Sequence, residues 1–61
     1  MLNTIILDSG QEIEVYGDLE DLMYTKASYS YVTAKGEFGE TYIIDSNKIA
    51  GFINYDKEDL T

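Results

Sequence analysis

Asn3-Thr4-Ile5-Ile6-Leu7, then Asp8-Ser9-Gly10, then Gln11-Glu12-Ile13-Glu14-Val15-Tyr16 is the stretch that decides the fold. Two runs rich in β-branched residues flank a polar turn ending in Gly, which predicts a β-hairpin. In the second run Ile13 and Val15 alternate with Glu12, Glu14 and Tyr16, the pattern of a strand buried on one face. The first run does not alternate. Ile5, Ile6 and Leu7 are consecutive, so a turn of either two or three residues leaves an apolar side chain on the side that carries the glutamates. Strand one is therefore expected to be covered on both faces.

Working outward, Gly17-Asp18-Leu19-Glu20-Asp21-Leu22-Met23 opens a helix that runs to about Ala27. Asp18 is placed to cap the free amide groups, and Glu20 and Asp21 sit in the first turn, where the helix dipole favours negative charge. Leu19, Leu22 and Met23 form one apolar stripe. A helix of about nine residues does not persist alone, so it must dock on the sheet.

Aromatic and β-branched density returns in Tyr29-Ser30-Tyr31-Val32-Thr33-Ala34-Lys35 and, after Gly36-Glu37-Phe38-Gly39, in Glu40-Thr41-Tyr42-Ile43-Ile44. This is a second hairpin. A four-residue loop sets Lys35 opposite Glu40, Val32 opposite Ile43 and Tyr31 opposite Ile44. In that register Tyr29, Tyr31 and Tyr42 share a face with Thr33 and Ile44, while Val32, Ala34, Thr41 and Ile43 make the other. Asp45-Ser46-Asn47-Lys48 is a turn cluster, and Ile49-Ala50-Gly51-Phe52-Ile53-Asn54-Tyr55 is a fifth strand with a bulge or bend expected at Gly51. Residues 56–61 make a polar end.

The fold class is mainly β (α+β), in the order β-β-α-β-β-β. It is either a small antiparallel sheet or an SH3-like barrel of about five strands, with one short helix. Two-sided cover of the first strand and a bend at Gly51 favour the barrel, which also removes exposed strand edges. With no repeat, linker or heptad, residues 1–61 read as a single small domain.

Twelve Asp and Glu stand against four Lys, with no Arg or His, for a net charge of −8 in 61 residues. Such a chain is repelled by phosphate backbones and anionic lipid, so neither direct nucleic-acid binding nor membrane association is expected. Without Cys, His or Trp it has no thiol or imidazole chemistry, no thiolate or imidazole metal site and no disulfide. The first eight residues lack a basic region and a long apolar run, so neither a signal peptide nor a membrane span is expected and the location is read as cytoplasmic.

The remaining toolkit is carboxylates, lysines and tyrosines, which is thin for acid-base catalysis. No Gly-x-Ser-x-Gly motif is present and no His activates a serine. Asp45-Ser46-Asn47 supplies alternating oxygens but is followed by Lys48-Ile49-Ala50, which breaks any EF-hand pattern. Gly36-Glu37-Phe38-Gly39 carries Glu where a phosphate loop needs backbone amides and Lys. No catalytic residue, cofactor or metal is assigned, and the chain is not read as an enzyme.

Surface recognition remains. One feature is acidic: Glu12 and Glu14 on strand two, Asp18, Glu20 and Asp21 at the helix start, and Asp56, Glu58 and Asp59 near the C-terminal end. Carboxylates spread over a small body can imitate the phosphate array of a duplex, although an acidic surface also simply keeps a small protein soluble. The other feature is aromatic: Tyr29, Tyr31 and Tyr42 as interface or core lining, and Phe38 at a loop tip, either anchoring a partner or folding back over its own hairpin. The expected function is a non-catalytic acidic module that binds a basic protein, as a nucleic-acid-mimicking inhibitor of a nucleic-acid-handling factor does. In size and charge, though in no motif, the chain resembles small acidic inhibitors of bacteriophages and mobile elements. The alternative is a homo-oligomeric assembly component whose second sheet face is buried by its copies.

Overall fold

The computed structural model describes residues 2–54. Tyr55 and the acidic Asp56, Glu58 and Asp59 lie outside the described residues. The elements follow the expected order: β1 (Leu2–Leu7), β2 (Glu12–Tyr16), α1 (Leu19–Ser28), β3 (Tyr31–Gly36), β4 (Thr41–Asp45), a 3₁₀ turn (Ser46–Lys48) and β5 (Ile49–Asn54). The strands form one antiparallel sheet ordered β4-β3-β2-β1-β5.

Both hairpins turn in the same way. Leu7 N–H donates to the Gln11 carbonyl and Gly36 N–H to the Glu40 carbonyl, each at 2.8 Å, enclosing three-residue loops that end in Gly10 (φ 93°) and Gly39 (φ 81°). This is the hairpin in which a tight turn is followed by one left-handed residue, where Gly has no Cβ to clash. The second loop is one residue shorter than expected, and the register corrects accordingly: Lys35 faces Thr41, Val32 faces Ile44 and Tyr31 faces Asp45. The faces change with it. Tyr42 and Ile44 turn inward beside Ala34 and Val32, whereas Ile43 turns outward beside Thr33.

The core consists of Ile5, Val15, Leu22, Val32, Ala34, Ile44 and Ile49, with Leu7, Ile13, Tyr42 and Phe52 packed on it. Full burial of an aliphatic side chain contributes roughly 1.5–3 kcal/mol. β1 lies inside the sheet between β2 and the edge strand β5, and its consecutive Asn3, Thr4 and Ile5 are all buried, in line with cover on both faces. Beyond Gly51 the register of β5 on β1 shifts: Ile6 pairs with Gly51 and Leu7 with Ile49, leaving Ala50 as the bulged residue.

The barrel does not close. β4 and β5 are the two edges of the sheet and do not pair. A flat five-stranded sheet would set them about 19 Å apart, yet a three-residue 3₁₀ turn joins them, so the sheet curls strongly. That turn is tied to both sides of the gap: Ser46 N–H donates to the Ser30 carbonyl and Asp8 N–H to the Lys48 carbonyl, each at 2.8 Å. Helix α1 packs against β3, β5 and the same turn.

Asp18 caps α1 as expected, accepting from Glu20 N–H at 2.9 Å. The apolar stripe is narrower than the spacing predicts. Leu22 is buried and Leu19 half-buried, but Met23 is 52% exposed, because a short helix meets the curled sheet along one line. Among the described residues no helix is long and apolar enough to cross a membrane.

Candidate functional site

β2 and β3 pair over only two positions, Val15 with Gly36 and Tyr16 with Lys35. Beyond Val15 and Gly36 the same register would set Glu14 opposite Glu37, and there the ladder ends because Gly36 closes into its turn. The two hairpins splay from this point. Between them lies an open cleft of about 270 Å³ lined by Glu12, Glu14, Glu37 and Glu40, with Phe38 and Tyr42 among the remaining walls.

The carboxylates in this cleft differ in their duties. Glu40 accepts from the Phe38 N–H at 2.8 Å, which fixes the loop. Glu37 and Glu14 meet as like charges. A hydrogen bond with Glu14, then Coulombic repulsion from it, and to a lesser degree slight desolvation and the charge of Glu40, hold the Glu37 carboxyl above its ordinary value of 4.5. Lys35, in the β3–β4 ladder, donates through Nζ to the Thr41 hydroxyl at 2.6 Å. Negative charge in the cleft is thus concentrated by the fold.

Glu12 and Glu14 lie exposed on one face of β2, as expected, and they are joined by Glu37 and Glu40, which sequence reasoning missed. Asp18, Glu20 and Asp21 form a separate exposed group at the start of α1, where Asp18 is also the cap. The predicted tyrosine face is not assembled. Tyr42 is half-buried against the core, and Tyr29 belongs to no strand but ends α1, its N–H donating to the Thr25 carbonyl at 2.8 Å. Its ring instead meets Tyr24 edge to face at 6.5 Å. Tyr31 is exposed on the outer face of β3. Phe38, at 90% exposure, does not fold back over its hairpin.

The cleft offers oxygen acceptors and one bare aromatic ring, and the raised proton affinity of Glu37 belongs to a group in contact with water. Such an arrangement suits the capture of cationic side chains. Among the described residues, no group of three or more acidic side chains has the arrangement of a metal site. Compared with known proteins, the chain matches no protein-family model, no curated protein and no solved structure.

Proposed function

We propose that this protein is a non-catalytic acidic module that docks on a basic protein partner, its carboxylates standing where the phosphates of a nucleic acid would lie. The observation that carries the reading is the meeting of Glu14 and Glu37 across the end of the β2–β3 ladder. Like charges directly opposite each other weaken a sheet, so the pair works against folding and supports a role for that charge outside the fold. Eight of the nine described carboxylates are exposed, and a partner's Lys or Arg entering the cleft would relieve the repulsion. Phe38 beside it provides an apolar anchor of the kind found at the centre of protein interfaces.

The test is titration of the labelled protein against a panel of basic nucleic-acid-handling proteins over a range of salt, with duplex DNA as competitor. Binding that weakens steeply with salt, is displaced by DNA and falls with Glu14→Gln, Glu37→Gln or Phe38→Ala supports the reading. Absent binding across the panel, or binding indifferent to salt and to these substitutions, overturns it. Charge reversal at Asp18, Glu20 and Asp21 separates the two acidic groups: loss of affinity with the fold intact adds the helix start to the interface, and unfolding assigns those residues to capping alone.

A further inference from the structure

The free edge of β4 is built differently from the free edge of β5. The Gly36–Glu40 hydrogen bond at one end of the β3–β4 ladder and the Ser46–Ser30 bond at the other set its alternation. Tyr42 and Ile44 therefore turn their backbone groups toward β3, and Thr41 and Ile43 turn theirs away from it. Strand edges are normally blunted by Lys, Pro, a bulge or a covering element. β5 has such protection, with a bulge at Ala50 and helix α1 packed against it. Among the described residues, Thr41–Asp45 carries no Lys, no Pro and no register shift. Its outward side chain Ile43 is 69% exposed, and Tyr31, on the same outer face, is 59% exposed.

We propose that β4 is a self-pairing edge, on which a second copy of this chain adds its own β4 antiparallel about a two-fold axis at Ile43. The strand chemistry selects this occupant. With Ile43 opposite the second copy's Ile43, Tyr42 falls opposite Ile44 and Thr41 opposite Asp45, so apolar meets apolar and no carboxylate faces a carboxylate. A strand rich in Lys or Arg would find only Asp45 along Thr41–Asp45 to answer it. The sheet becomes continuous across the axis, and the outward backbone groups of Thr41 and Ile43 gain partners. Overall charge opposes the association at −8 per chain, so the dimer strengthens as salt screens it. This inference is independent of the acidic docking reading, since β4 contributes no carboxylate to the cleft.

The chain has no cysteine, which allows a clean test. Residues that face each other as a hydrogen-bonded antiparallel pair have Cα atoms about 5.5 Å apart, within disulfide range. Under mild oxidation Ile43→Cys is expected to cross-link at least about tenfold faster than Ser9→Cys in the opposite hairpin turn. In sedimentation equilibrium the native chain should show a dimer whose association constant rises several-fold from low to high salt, and Ile43→Lys should abolish it with circular dichroism unchanged. Should Ile43→Lys unfold, Thr41→Lys at the exposed start of β4 serves the same purpose. A native chain that stays monomeric at several hundred micromolar in high salt, or equal cross-linking at positions 43 and 9, overturns the proposal. So does a dimer insensitive to Lys at position 43 or 41.

Discussion

The side-chain amide of Asn3 donates to the Gly17 carbonyl at 2.8 Å, so a fully buried carboxamide in β1 holds the residue just ahead of the helix cap. Asn54 completes the arrangement by donating to Asn3 Oδ1 at 2.5 Å, which ties the end of β5 to the same point. Removing one partner of a buried hydrogen bond leaves the other unsatisfied. Asn3→Ala is therefore expected to lower stability by about 2 kcal/mol in urea unfolding. A loss within experimental error would show that water replaces the carboxamide without cost.

Leu22 and Met23 are adjacent on α1 but differ in what they touch. Leu22 is in the core and Met23 is 52% exposed. Leu22→Ala is expected to cost about 2–4 kcal/mol, and Met23→Gln less than about 0.5 kcal/mol. Thermal or urea unfolding of the two variants checks this, and equal losses would mean that the helix buries a wider stripe.

Gly39 and Gly36 bracket one loop for different reasons. Gly39 has φ 81°, so Gly39→Ala strains the backbone by about 1–2 kcal/mol, and Gly39→Asn is expected to recover part of it. At Gly36 the obstacle is space: an added Cβ would lie 2.7 Å from Tyr42 Cε2 and would also press on the Glu40 carboxylate. Gly36→Ala is expected to cost about 1–3 kcal/mol through this overpacking. Amide spectra of Gly36→Ala should show the Phe38 N–H released from Glu40, and an unmoved Phe38 signal would contradict the crowding.

Glu37 links the cleft to pH. Its carboxyl holds a proton to higher pH in the folded chain than the ordinary value of 4.5. The favourable contribution of the protonated group is complete below that value and is lost as pH rises through the folded pKa. Glu37→Gln is therefore expected to raise the melting temperature at neutral pH, with the advantage vanishing well below pH 4.5 and shrinking in high salt. In the Glu14→Gln variant the titration of Glu37, followed by NMR, should fall back toward 4.5. An unchanged titration would place the cause elsewhere.

Sequence alone determined what depends on near neighbours along the chain: the strand runs, the glycines of both turns, the Asp18 cap and an irregularity in β5 expected at Gly51 and found at its neighbour Ala50; the two-sided cover of β1, expected from Ile5-Ile6-Leu7, centres instead on Asn3, Thr4 and Ile5. The register of the second hairpin was not among these, because a three-residue loop and a four-residue loop differ only in whether Gly36 joins the strand, and that difference moves Tyr42 to the core and Ile43 to water. Tertiary structure alone decided the rest. Glu14 lies in β2 and Glu37 in the loop after β3, with a helix between them in the chain, so no local spacing announces that they meet. Whether the sheet closes likewise depends on how α1 and the turn at residues 46–48 pack against the strands, since curvature and long-range register arise from packing over the whole chain rather than from any single stretch of it.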